Sequence, residues 1–177
     1  MVKKIVLFFL YSFVFLALVI FFSPKENIYY LVQKELKKYS IVIESKDIKD
    51  TGFGLKLENV KIYFEGIEAA KTLELDIDLF FVLNSLKAQM IRVSSVASSY
   101  IPTKVDTLSA TYTIFKPFEI KITSNGEFGE VEGEVNLTEK KLVLNLKASK
   151  KMKQDYRKIL YKLKKQKDGG YKYEQKF

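Results

Sequence analysis

The chain of 177 residues contains no cysteine and no histidine. Without cysteine it can form neither disulfides nor a thiolate nucleophile. Without histidine, Ser-His-Asp and Cys-His sites, imidazole proton shuttles and His-ligated zinc are excluded. An enzyme would be left with carboxylate pairs, lysine chemistry or oxygen-ligated metals, and no convincing set of these residues is present. We therefore predict a non-enzymatic protein with no catalytic residues, no metal and no cofactor.

Two other patterns have simpler interpretations than ligand binding. Acidic residues alternate at 74/76/78 and at 130/132/134, which places each row on one face of a strand. Such rows could bind calcium in principle, but solvated strand faces have the same pattern, and we favour that reading. The glycines at 126, 129 and 133 lie among glutamates and lead into a strand, so they do not form a phosphate-binding loop.

Residues 5–22 form an uncharged apolar run, IVLFFLYSFVFLALVIFF. As a helix the run would be roughly 27 Å long, close to the thickness of a bilayer's hydrocarbon core. If a signal peptidase cleaved after Ser23, Phe21 would occupy the −3 position, where cleavage requires a small residue. The sequence thus predicts an uncleaved signal anchor over residues 1–22, with residues 23–177 exported as one domain in a single-pass topology.

An amphipathic helix leading out of the membrane is predicted over residues 24–39. Ser23 and Glu26 have the spacing of a capping box, and Pro24 stands at the favoured first helical position. An apolar stripe follows at helical spacing. Its members are Ile28, Leu31, Val32, Leu36 and Tyr39.

From residue 41 onwards the hydrophobic period changes to two, which predicts short antiparallel strands with one apolar face. A change of phase at Glu58-Asn59 indicates a bulge, and residues 73–79 alternate so that Leu73 shares a face with Leu75 and Ile77. Residues 82–87 resemble a turn or a short helical link. SNG at 124–126 is typical of a hairpin turn, and YKYEQKF at 171–177 reads as a final strand.

A second amphipathic helix is predicted at about 150–166. Nine basic residues and one acidic residue lie between Lys150 and Lys167, so this stretch carries +8 of the net charge of +9. Met152, Tyr156, Ile159, Leu160 and Leu163 form a stripe suited to packing on the sheet. The basic residues that point away are Lys151, Arg157, Lys158, Lys162 and Lys165. Alone, such a run could bind nucleic acid, but in an exported domain we expect no nucleic acid and propose contact with anionic lipid headgroups or acidic partners.

The order of these elements resembles two bacterial envelope families. An anchor and a juxtamembrane helix precede GFGLKLENVKIYF and GIEAAKTLELDIDLFFVLNSLKAQMIRVSSV, which look like the start of AsmA-like proteins. The ending LKKQKDGGYKYEQKF is similar to the close of the type II secretion system N subunit. The resemblance implies a bacterial inner-membrane protein with a curved, mostly antiparallel periplasmic sheet, in an accessory role for protein export or lipid movement.

The predicted fold class is therefore mainly β with flanking helices: a transmembrane helix, an amphipathic helix, a curved antiparallel sheet, a C-terminal helix and a final strand. An apolar groove on the sheet could bind lipid, or the same residues could be ordinary core. The candidate lining residues are Leu73, Leu75, Ile77, Val131, Val135, Leu142, Leu144 and Leu146. The expected partners are a phospholipid membrane and envelope or secretion-complex proteins, and the oligomeric state is left open. The alternative is a structural or partner-binding scaffold without lipid, which would use strand 171–177 to extend another protein's sheet.

Overall fold

The computed structural model describes residues 2–80, 82–95 and 102–177. Two helices, α1 (Val2–Phe22) and α2 (Glu26–Lys37), open the described chain. The strands that follow are β1 (Ile41–Glu44), β2 (Asp47–Asp50), β3 (Gly54–Phe64), β4 (Ile67–Leu79), β5 (Leu83–Val93), β6 (Lys104–Thr113), β7 (Glu119–Gly126), β8 (Gly129–Asn136) and β9 (Lys141–Ala148). Helices α3 (Lys150–Asp155) and α4 (Arg157–Leu160) precede β10 (Lys164–Lys165) and β11 (Tyr171–Lys176).

The eleven strands form one curved, open antiparallel sheet. Its order is β1-β3-β4-β5-β6-β7-β8-β9-β11-β10, with β2 paired beside β1 on β3. From β3 to β9 each strand pairs with the next in the chain, as tight connections favour. The predicted fold class is confirmed.

The apolar side chains of the sheet pack into a separate cluster towards each end. The first cluster is built on β3 to β5, where Leu57 and Val60 are fully buried, and it receives Tyr29 from α2. The second is built on Leu146 of β9 and receives Met152 and Leu160 from α3 and α4. Each end of the apolar face is thus covered by a helix, because a sheet face rich in Leu, Ile and Val must be shielded from water.

Helix α2 contacts the sheet through a different side than its apolar stripe. Tyr29 is buried and donates a hydrogen bond to the carbonyl of Ile43 at 3.0 Å, while Gln33 also donates to that carbonyl. Burial, with Tyr30 and Glu44 nearby, raises the pKa of Tyr29, so its hydroxyl stays protonated as a donor. The predicted stripe is exposed instead, with Leu31 at 63%, except for the half-buried Leu36. Polar side chains that satisfy a strand carbonyl fix the helix more specifically than apolar area alone.

Several predicted boundaries were wrong for local reasons. Lys25, not Ser23, caps α2, and no side-chain capping bond forms. Residues 83–87 belong to β5 rather than to a link, and the hairpin after β7 turns at Glu127–Phe128, one residue pair later than SNG. The helix predicted at 150–166 is divided at Tyr156, whose φ of −120° and ψ of 32° interrupt the α-helical path. Its stripe nevertheless packs on the sheet as expected.

Candidate apolar binding face

Cross-strand rows of apolar side chains run over the sheet in register. One row passes from Leu86 to Ala110, Ile122, Gly133, Leu144 and Tyr173. The next passes from Tyr112 to Ile120, Val135 and Leu142. Because opposite residues of an antiparallel pair share a face, these rows form one continuous apolar surface.

The middle of this surface belongs to neither packed cluster. We call it the central apolar face, and its members are Ala110, Tyr112, Ile120, Ile122, Val135, Leu142 and Leu144. All seven are half-buried. Within the described residues, neither helical cluster extends over them, so their shielding comes from neighbouring side chains and from the curvature of the sheet.

The predicted groove residues separate into three groups in the structure. Val135, Leu142 and Leu144 lie in the central apolar face. Leu75 and Ile77 belong to the first cluster, and Val131 and Leu146 to the second. Leu73 is the exception, because it lies on the opposite, polar face with 48% of its surface exposed. Its predicted place beside Leu75 was wrong.

A crease across four strands explains the position of Leu73. Asn59, Leu73, Met90 and Asp106 occupy matching positions at which strand pairing is interrupted or the register shifts. Asn59 and Met90 have φ of 51° and 52° there, so the side-chain alternation skips a residue. The buried Thr72 hydroxyl bonds the carbonyls of Gln89 at 2.5 Å and Glu74 at 3.1 Å, satisfying groups beside the crease. The predicted change of phase at Glu58-Asn59 is confirmed, but no residue is inserted there, and the register of β3 against β4 shifts between Ile62 and Tyr63 instead.

Lys25 joins the first helix to the sheet. Its side chain is almost fully buried, at 2% exposed. The ammonium donates to the carbonyl of Phe21 at 2.7 Å and lies 3.5 Å from a carboxylate oxygen of Asp50. Burial alone would raise the pKa of Asp50, but the N–H groups of Gly52 and Lys25 and the Lys25 ammonium together lower it. A cation at the carbonyl end of α1 also suits the helix dipole.

Aromatic contacts continue this junction along one edge of the sheet. Phe21 packs edge-to-face on Phe53 at 5.3 Å, and Phe53 packs on Phe80 at 5.5 Å. Gly52 (φ 85°) is required beneath Phe21, because a Cβ there would lie 2.2 Å from the ring. The last turn of α1 is thus packed on the turn between β2 and β3.

Each turn at this end of the strands carries at least one exposed apolar residue. In an antiparallel meander, alternate turns lie at the same end of the strands. Here these are the β2–β3, β4–β5, β6–β7 and β8–β9 turns. We call their exposed apolar residues the apolar rim, which comprises Phe53, Phe80, Ile114, Phe115, Phe118 and Leu137. Phe115 is 80% and Phe118 59% exposed. Exposed apolar patches of this kind mark membrane or protein contacts.

The predicted basic residues lie toward the opposite end of the strands. Lys151 forms a salt bridge with Glu127 at 2.9 Å, and Arg157 donates to the carbonyl of Lys153 at 3.0 Å. Lys158, Lys162 and Lys165 are exposed. The α3 helix follows the end of β9 that pairs with Gly129, away from the rim. These basic side chains and the last turn of α1 therefore lie at opposite ends of the strands.

Half of the acidic-row residues contact lysines of neighbouring strands. Glu74 pairs with Lys56, and Glu130 lies 3.7 Å from Lys147. Asp78 accepts a hydrogen bond from Ser85 at 2.7 Å. Within the described part of the chain, no three acidic side chains converge as a metal site would require.

Three functional features escaped the sequence analysis. Lys25 and Tyr29 contact the sheet, but the apolar stripe on the other side of α2 gave the clearer sequence pattern and was predicted to face the sheet instead. The apolar rim had a local signal, since IFKPF at 114–118 places aromatic residues around a proline in a turn. The neighbours of Leu73 on the polar face gave no local sequence signal, because only the register between strands brings them together.

Comparison with protein-family models, with curated proteins and with solved structures finds no match to this chain. The resemblance to AsmA-like proteins and to the type II secretion N subunit stays a prediction.

Proposed function

We propose that this chain is a non-enzymatic protein anchored in a membrane by α1, and that its central apolar face binds the acyl chains of a membrane lipid. The observation that carries the proposal is the central apolar face itself: an apolar surface in register across β6 to β9, covered by neither helical cluster. Burying each exposed CH₂ group of an acyl chain there would contribute about 0.8 kcal/mol.

The position of α1 supports a route between bilayer and sheet. Val2–Phe22 has the length and composition of a membrane span, and none of it is buried in the protein. Its last turn packs on Phe53, so a bilayer crossed by α1 would meet the apolar rim. Tyr112, Ile120, Val135 and Leu142 lie at the ends of the strands next to that rim. The apolar rim would thus give an acyl chain an apolar entry next to the central apolar face.

The cellular setting is proposed on the resemblance alone. It places the anchor in a bacterial inner membrane and the sheet in the periplasm, as an accessory component of an envelope transport system. The basic residues of α3 and α4 would then meet acidic partners or anionic lipid from the edge opposite the rim. Their role in binding anionic vesicles stays a prediction.

Single-cysteine labelling tests the lipid-binding proposal directly, since the chain has no cysteine of its own. A fluorophore would be placed at Ile122→Cys or Leu144→Cys in the full chain, reconstituted in liposomes that contain a lipid with a quencher on its acyl chain. We expect strong quenching at both positions.

Adjacent residues supply the matched controls. Thr123→Cys and Asn145→Cys lie one residue further along the same strands and point to the polar face. They should stay unquenched if lipid occupies only the apolar face. Equal quenching at Ile122→Cys and Thr123→Cys, or none at either, would contradict the proposal.

The open edge of β11 favours the scaffold alternative. β10 pairs with Tyr171 and Lys172, so within the described residues the outer edge of Tyr173–Lys176 has no strand beside it. Such an edge can accept a strand from another protein. A photo-crosslinking residue at Tyr173 in native membranes would then yield one discrete protein adduct, and the same residue at the exposed Tyr161 would not.

A further inference from the structure

Four basic side chains align across four neighbouring strands on the polar face of the sheet. Register places Lys61 of β3 opposite Lys71 of β4, Lys71 opposite Arg92 of β5, and Arg92 opposite Lys104 of β6. All four are exposed. We call them the cationic row. With strands about 4.8 Å apart, the row spans roughly 14 Å.

The cationic row differs from the neighbouring Lys49 and Lys56 in forming no salt bridge within the described residues. Lys49 and Lys56 form salt bridges with Glu58 and Glu74. Glu44 of β1 lies opposite Lys61 in register, at the outer end of the row, but forms no salt bridge with it. No acid among the described residues forms a salt bridge with a member of the row. Like charges directly opposite on neighbouring strands are destabilising, so three successive pairs of this kind cost the fold stability that an anion would restore.

The crease places apolar surface beside the row. Leu73 and Met90 are 48% and 55% exposed on the same face. They line a cleft of about 320 Å³ together with Lys61, Lys71 and Arg92. Met90 holds a φ of 52°, which is unfavourable for a residue with a long side chain. Strained backbone of this kind concentrates at binding sites.

A larger cleft of about 910 Å³ adjoins the other end of the row. Lys71, Arg92 and Lys104 line it together with Ser94, Ser95 and Thr103. Two acids, Glu68 and Glu127, also lie on its wall. Glu127 is held by Lys151 at 2.9 Å, so its charge is already compensated. The cleft thus combines an excess of positive charge with hydroxyl groups.

We propose that the cationic row and the crease bind a phosphate-bearing anion. The Arg92 guanidinium offers a planar fork suited to two phosphate oxygens, and the lysines add point charges on either side. Leu73 and Met90 would pack against an apolar part of the ligand next to its phosphate. The site lies on the face opposite the central apolar face, so it does not depend on the proposed acyl-chain binding.

Calorimetry on the full chain in phosphatidylcholine nanodiscs tests this site with two probes. Inorganic phosphate represents a free anion, and short-chain phosphatidic acid below its micelle concentration represents a lipid headgroup. The double variant Lys71→Gln/Arg92→Gln should bind the preferred probe at least about tenfold more weakly than the wild type, because it loses two charge-assisted contacts.

A matched variant separates the site from net charge. Lys121→Gln/Lys140→Gln removes the same charge from exposed residues outside the row that have no proposed role in anion binding, and partitioning of the probe into the nanodisc affects both double variants alike. It should bind within about twofold of the wild type. An equal loss in both double variants, or no loss in either, would overturn the proposal.

Leu73→Ser distinguishes the two sources of phosphate. Weaker binding of phosphatidic acid with unchanged binding of inorganic phosphate supports a lipid headgroup. If inorganic phosphate binds as tightly as phosphatidic acid and Leu73→Ser changes neither, the ligand is a free phosphate.

A melting curve guards against misfolding of the variants. Relieving the repulsion should leave the melting temperature of Lys71→Gln/Arg92→Gln equal to or above that of the wild type. Should it fall, the pair Lys61→Gln/Lys104→Gln removes the outer charges of the row instead and must reproduce the loss of binding.

Discussion

At the scale of single residues, Lys25 and Asp50 couple the first helix to the sheet. Among the described residues, the polar contacts of the buried Lys25 ammonium are the Phe21 carbonyl and the Asp50 carboxylate. We predict that Asp50→Asn lowers the stability of the fold by about 1–2 kcal/mol, less than the loss of a fully buried ion pair because Asp50 is one-third exposed. Thermal unfolding of the full chain in detergent, followed by circular dichroism, measures the change.

The same pair predicts a dependence on pH. Because folding lowers the pKa of Asp50, its contribution is complete above the ordinary value of 3.8 and is lost as the pH falls through the folded value. The gap in melting temperature between wild type and Asp50→Asn should therefore close on acidification below about pH 4. Asp47→Asn, on the same strand and exposed, removes a carboxylate without touching the Lys25 contact and is the matched control.

Thr72 is the residue on which the crease depends. We predict that Thr72→Val, which keeps the shape of the side chain, costs about 1–3 kcal/mol because the Gln89 carbonyl loses a buried donor. Urea unfolding gives the free energy. Thr123→Val makes the same change at an exposed strand position and should cost little. If both substitutions cost the same, the hydroxyl of Thr72 does not hold the crease.

At the scale of elements, we predict that the β6–β7 turn contacts the membrane. The chain has no tryptophan, so Phe115→Trp creates a single fluorophore in the apolar rim. In liposomes we predict a blue-shifted emission that brominated lipids quench, because an exposed aromatic ring at the anchored edge partitions into the bilayer interface. Tyr161→Trp, also exposed but in the segment after α4, should stay red-shifted and unquenched.

At the scale of the whole molecule, the sheet is continuous but its packed clusters are separate. We predict that Leu160→Ala destabilises α3, α4 and β11 while leaving hydrogen exchange in β3 to β5 unchanged, because Leu160 contacts only the second cluster. Leu57→Ala should cost about 2–5 kcal/mol and raise exchange in β3 to β5. Exchange measured by mass spectrometry locates each effect, and a uniform response to Leu160→Ala would show that the two clusters unfold together.

The sequence by itself determined the order of most helices and strands and the face on which most strand residues lie. Period-two alternation is a local property, since successive side chains of a strand must point to opposite faces, and it correctly placed Val131, Val135, Leu142 and Leu144 on one side. The stripe of Met152 and Leu160 was equally visible, although the helix that carries it is divided. Charge and apolar content also sufficed to find α1.

Only the tertiary structure decided which side of α2 meets the sheet, where Leu73 points and which cations stand together. Each depends on register between strands or on a partner far along the chain: the Ile43 carbonyl selects Tyr29, and the crease turns Leu73 over. Lys61 and Lys104 lie 43 positions apart in the sequence, yet two intervening strands bring them into one row. The alternation of apolar and polar residues within one strand does not predict such pairings, because the free energy of the whole sheet sets the register between strands.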